Sequence, residues 1–136
     1  MVSTRLGRTP DGRRIEVVDE IDAPAERLWE LLIDTRRWPE WGPWVEDVTA
    51  DHRRVRTGTT GAIETPIGVR IPFEITGCVT FRWTWEIADV PATGHRVEPL
   101  NAHSRVVFEV PLLGAGSAPL CARALRNLAE CAEQEA

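Results

Sequence analysis

Lysine and tyrosine are absent from this chain, methionine occurs once, and no apolar run extends beyond a few residues. All 16 basic side chains are therefore arginine. This bias reads as GC-rich coding, and so a bacterial source, rather than as a particular chemistry. A membrane-spanning helix needs about 20 apolar residues, and none is available. The opening MVSTRLGRTPDGRR also lacks the apolar centre of a signal peptide, so a cytoplasmic location is expected. Cysteine is scarce: Cys78, Cys121 and Cys131 are odd in number and lack CxxC spacing, and are read as small core residues. His52, His95 and His103 stand on separate segments without paired ligand spacing, so neither a metal nor a cofactor is expected.

Net positive charge is missing too. A formal charge of -5 argues against a broad phosphate-binding surface, because nucleic-acid binders need clustered cations to release counterions. The one basic cluster, Arg5, Arg8, Arg13 and Arg14, falls in residues 1–14, which read as a flexible, solvated N-terminal tail. No nucleophile elbow surrounds any serine. The glycines of GAG at 114–116 lack the lysine and the strand-to-helix context of a phosphate loop.

What is present suits one globular domain: 136 residues, 43% apolar and 27% charged. Ile15, Val17 and Ile21 share a face of a first strand, with Asp19 interrupting it. Ala23-Pro24 opens a short helix striped by Leu28, Leu31 and Leu32. Asp34-Thr35 suits the cap of a second short helix before Pro39, and a strand is expected near 44–51. From residue 55 onward apolar residues alternate: Thr60 to Thr65, then Val69 to Ile75, Phe81 to Ile87, His95 and Val97, and Val106 to Val110. VPATG reads as a connection within this antiparallel meander. Ser117 is a candidate N-cap for a final helix whose apolar stripe is Cys121, Ala124, Leu125, Leu128, Cys131 and Ala132. On the opposite sheet face Arg70, Arg82, Arg96 and Arg105 alternate with Glu74, Glu86 and Glu98, which predicts solvated cross-strand ion pairs.

The order strand, two short helices, meander and long amphipathic helix resembles the helix-grip fold. Three stretches resemble the polyketide cyclase and dehydratase-like branch of the SRPBCC superfamily, the START and birch-pollen-allergen type. They are IDAPAERLWELLIDTRRWPEW, then GVRIPFEIT with FRWTWEIADVPATGHRVEPL, and VVFEVP leading into the last helix. The resemblance implies an α+β domain over residues 15–136. Its antiparallel sheet of about six to seven strands would wrap a long C-terminal helix, with two short helices after the first strand. It also implies a cavity between sheet and helix.

By strand phase the expected cavity lining is Val17, Ile71, Phe73, Trp83, Trp85, His95, Val97, Val106 and Phe108, with Leu125 and Leu128 from the helix. The same residues describe a filled core equally well. His95 and Asp19 are the two polar groups in that phase and the weak candidates for proton transfer. Trp38, Trp41 and Trp44 suit a lid over the pocket, a dimer patch or packing around Pro39 and Pro43. Three functions stay open: a binding module for a lipid, isoprenoid or polyketide-like molecule, a cyclase or dehydratase using cavity proton transfer, and an interaction domain with a filled core. The expected partner is a small hydrophobic molecule, with a homodimer possible and with neither nucleic acid nor stable membrane insertion.

Overall fold

In the computed structural model, which describes residues 1–134, eight antiparallel strands form one sheet and a long helix packs on one face of it. The elements are β1 (Ser3–Thr9), β2 (Gly12–Ile21), α1 (Ala25–Ile33), α2 (Trp38–Trp41) and β3 (Asp47–Ala50). There follow β4 (Thr60–Glu64), β5 (Arg70–Val79), β6 (Arg82–Ile87), β7 (Val90–Pro99), β8 (Ser104–Pro111) and α3 (Ala118–Gln134). Across the sheet the order is β1-β2-β8-β7-β6-β5-β4-β3, so the meander closes back on β2 through β8. This is the α+β helix-grip arrangement, with one strand more than expected. No helix among the described residues is long and apolar enough to cross a membrane.

The additional strand is β1, and it replaces the expected flexible tail. Ser3 to Thr9 pair with Val18 to Gly12 through a tight turn in which Gly12 takes φ 106°. The Thr9 hydroxyl donates to the Gly12 carbonyl at 2.9 Å and accepts from the Asp11 amide at 3.2 Å. The segment STRLGRT carries no apolar alternation because β1 is an exposed edge. Backbone pairing and the Arg5 to Glu16 ion pair at 2.9 Å hold it. Arg5 and Arg8 thus sit on a strand rather than in solution, and Arg13 and Arg14 begin β2.

Both short helices are fixed by unusual caps. Asp34 accepts from the Arg36 amide at 3.0 Å, starting a single 3-10 turn that leads into α2 with Pro39 in its first turn. The indole N–H of Trp38 donates to the Leu32 carbonyl at 2.8 Å, and that of Trp41 to the Leu31 carbonyl at 2.9 Å. These carbonyls belong to the last turn of α1, where no helical amide remains to pair with them. Trp38 and Trp41 therefore cap α1 while burying their rings.

Helix α3 buries Cys121, Ala124, Leu125, Leu128 and Ala132, the stripe the spacing predicts, with Cys131 half-buried at its margin. Ser117 does not cap it. Its hydroxyl donates to the Gly114 carbonyl at 2.8 Å and closes a 3-10 turn over Leu112–Ser117, from which α3 continues.

The outer sheet face carries ion pairs, but not the solvated ladder that the alternation suggests. Glu16 and Glu109 are buried there, and Arg96 joins both at 2.8 Å while Arg82 reaches Glu109 at 2.7 Å. Arg105 meets Glu98 across the strands at 3.1 Å, as expected, and Arg96 meets it within β7 at 2.9 Å. Glycines make room for the buried carboxylates. A Cβ at Gly7 would overlap the Glu16 carboxyl, and one at Gly94 would lie 2.6 Å from the Glu109 carboxylate. Hydrogen bonds and charge from Arg96 and Arg5 hold the Glu16 pKa below the usual carboxylate range despite its burial.

The β6–β7 connection is the two-residue turn Ala88-Asp89, both at positive φ, rather than VPATG. VPATG instead opens β7, where the pairing shifts between Thr84–Gly94 and Glu86–Pro91. That bulge sets Ala92 and Thr93 together opposite Trp85. Bulges re-aim side chains in this way, and this one shapes the site.

Candidate functional site: an apolar pocket at one end of the sheet

The centre of the sheet face is filled by rings. Trp38 from α2 stacks on Trp83 (5.3 Å, 7° between planes), and Trp83 stacks on His95 at 3.9 Å. Phe108 meets His95 edge-on at 4.9 Å, and Phe73 and Trp85 close the sides. Val17, Val97, Val106, Leu125 and Leu128 are equally buried around this column. Of the eleven residues expected to line a cavity, ten pack in or against this core and do not border the pocket described next. Ile71 is half-buried at its edge. The reason is Trp38: a ring from a distant segment occupies the space that strand phase alone leaves free.

The pocket lies further along, at one end of the sheet, with a volume of about 640 Å³. Its walls come from the end of β6 (Trp85, Ile87), the bulged start of β7 (Val90 to Thr93) and the first turn of α3 (Leu120, Cys121). Trp44, Pro111 and the Leu112–Ser117 turn complete it, and Arg13 and Arg14 stand at its border. The rim holds exposed apolar side chains, with Leu112, Leu113, Leu120 and Val90 between 46% and 106% accessible. Such a cluster on a surface marks an interaction site more often than a packing accident. Trp85 is the one expected cavity residue in this pocket, and Trp44 the one expected lid residue.

Most of these residues escape a sequence reading because they sit in turns and strand ends, where no periodicity marks an inward side. Two signals were present. Leu112-Leu113 beside a glycine-rich turn is an apolar pair without an element to bury it, and Thr93 shares the strand phase of His95 and Val97.

His95 is fully buried, and loss of hydration there pushes its pKa from the ordinary 6.5 down to about 3. It is neutral near pH 7 and does not border the pocket. Asp19 lies near the opposite end of β2 from Arg13 and Arg14, 3.1 Å from the Met1 ammonium group. The two polar candidates are therefore not brought together. His52 and His103, both in connections between strands, bond to Thr59 and Glu20 respectively.

Thr93 and Ser117 are the uncharged hydroxyl residues of the pocket lining among the described residues. The Thr93 hydroxyl lies 2.8 Å from His95 Nε2 and accepts from the Trp85 indole N–H at 3.0 Å. Beside it, burial raises the Cys121 thiol pKa to about 11, so this sulfur is a protonated wall atom rather than a nucleophile. Apolar walls with few placed polar groups are the usual make-up of a small-molecule site.

The family described as polyketide cyclase / dehydrase and lipid transport matches residues 13–133. Among curated proteins none matches this chain. Among solved structures, protein Ms6760 from Mycobacterium smegmatis is 17% identical, with a TM-score of 0.67 and all of both chains covered. CalU16 from Micromonospora echinospora is 18% identical (TM-score 0.67), with 95% of this chain and 81% of that one covered. DynU16, a protein of the dynemicin biosynthetic locus, is 17% identical (TM-score 0.61), with 85% of this chain and 45% of that one covered. Likeness at this identity concerns the fold.

Proposed function

Because this chain belongs to the polyketide cyclase / dehydrase and lipid transport family, we propose that it binds a small hydrophobic molecule in the end pocket. The observation that carries this reading is the pocket itself. It falls within the roughly 300 to 1,000 Å³ of typical ligand sites, is walled by tryptophan, leucine, proline and alanine, and opens through an apolar rim. Arg13 and Arg14 are the only charged groups that border it among the described residues. They favour a neutral or anionic ligand over a cationic one.

A proton-transfer enzyme is the weaker reading. His95 is sealed behind Trp83, Phe108 and Thr93 and stays neutral, and Asp19 is remote from the pocket. The relation to CalU16 and DynU16 suits a polyketide-like ligand as well as it suits turnover. A lipid or isoprenoid is the other ligand class that an apolar pocket of this size takes.

The test is isothermal titration with naphthalene-sized apolar probes, using wild type and Ala92→Trp, which places a large ring in the pocket. One equivalent bound by wild type, at least tenfold weaker in Ala92→Trp at unchanged melting temperature, supports the reading. Equal affinity in both proteins, or no uptake by wild type together with no compound released on solvent extraction of the purified protein, would falsify it.

A further inference from the structure

Resting on the pocket reading above, we infer that Thr93 offers the ligand a lone pair and no proton, so the pocket selects molecules bearing a hydrogen-bond donor, such as a phenol or enol, over ketones and ethers of the same shape. The geometry fixes this through a chain of three contacts. His95 Nδ1 faces the Trp83 carbonyl oxygen at 3.4 Å, and since a carbonyl can only accept, we place the ring proton on Nδ1. His95 Nε2 is then an acceptor, and the group 2.8 Å away, the Thr93 hydroxyl, must donate to it. On its other side Thr93 accepts from Trp85 Nε1, a group that can only donate.

A hydroxyl has one proton and two lone pairs. In Thr93, a residue of the pocket lining, the proton and one lone pair are committed, which leaves one lone pair for a ligand. A charged imidazole would break this logic by donating from both nitrogens. Complete burial keeps His95 neutral, and the charge of the Arg82 guanidinium also opposes its protonation. His95 thus acts as a positioning residue that fixes the orientation of the Thr93 O–H, and the β7 bulge puts that hydroxyl beside Trp85.

A hydrogen bond of this kind changes affinity by about two- to twelvefold. Titration of wild type and Thr93→Val with naphthalene, 2-naphthol and 2-acetylnaphthalene reads it directly. The expected result is that 2-naphthol binds wild type about fivefold tighter than 2-acetylnaphthalene, and that Thr93→Val removes this preference by weakening 2-naphthol alone. Thr93→Ser, which keeps the hydroxyl, retains the preference. Uptake of all three probes without preference, or a preference for 2-acetylnaphthalene, overturns this inference alone. A protein that takes up none of them overturns the pocket reading as well. Should Thr93→Val fail to fold, long-range ¹H–¹⁵N spectra of wild-type His95 still decide: a proton on Nδ1 is expected, and a proton on Nε2 overturns the assignment.

Discussion

Trp38 and Trp83 lie flat against each other, 5.3 Å apart and 7° from parallel, yet only one of the two indoles has a partner for its N–H. Trp38 donates to the Leu32 carbonyl at 2.8 Å, whereas Trp83 Nε1 is buried with no acceptor among the described residues. An N–H removed from water without a partner costs about 1 to 3 kcal/mol. Replacing either ring by phenylalanine removes similar area, but with opposite polar consequences. Trp38→Phe leaves an orphan carbonyl at the end of α1, and Trp83→Phe removes an orphan donor. We expect Trp38→Phe to be the more destabilising by about 1 to 2 kcal/mol in urea unfolding. Equal losses would mean that the Trp83 N–H is satisfied in solution.

The pH dependence of stability should carry a His95 component. The unfolded chain protonates this residue below about pH 6.5, and the folded chain only near pH 3. Its stabilising contribution is thus complete above pH 6.5 and is lost as the pH falls toward 3, with a slope of up to about 1.4 kcal/mol per pH unit. Glu16 and Glu98, whose pKa values are held below the ordinary 4.5, add losses of their own only at lower pH. Unfolding free energies measured at pH 6.5 and 5 should therefore converge in His95→Gln. An unchanged slope would show that His95 is not the residue being titrated.

Gly94 and Glu109 should couple. A methyl at Gly94 meets the Glu109 carboxylate at 2.6 Å, and that carboxylate cannot move away without breaking its ion pairs to Arg82 and Arg96. Gly94→Ala is expected to cost about 2 kcal/mol alone and under about 1 kcal/mol in a Glu109→Ala background. Strictly additive losses would sink the steric account.

The Ala88-Asp89 turn holds two non-glycine residues at φ 50° and 64°. The left-handed region disfavours alanine by about 1 to 2 kcal/mol, and asparagine and glycine tolerate it better. Ala88→Asn should accordingly raise the melting temperature by a few degrees, without altering probe affinity. A lower melting temperature would argue that this turn is not populated as described.

The stripe of α3 and the alternation of β5, β6, β7 and β8 were legible because period and phase record which side of an element is buried. Two things were not. Strand β1 has no apolar alternation to betray it, since backbone pairing and Arg5 hold it at an edge. The pocket was displaced from its expected place because phase says that Trp83 and His95 point inward, but not that Trp38, more than forty residues earlier in the chain, fills the space in front of them. Its true walls, such as Leu112, Val90 and Thr93, lie where bulges and turns interrupt every period.

The absence of tyrosine acquires a practical meaning once the rings are placed. With no phenol to contribute, the fluorescence of this protein is dominated by six indoles. Trp38, Trp41 and Trp83 are sealed in the core, and Trp29 packs edge-on against Phe81. Trp44 and Trp85 alone border the pocket. The molecule is thus its own optical gauge: a change in colour or quenching on adding a compound reports from these two positions, and single Trp44→Phe and Trp85→Phe replacements tell which wall the compound touches.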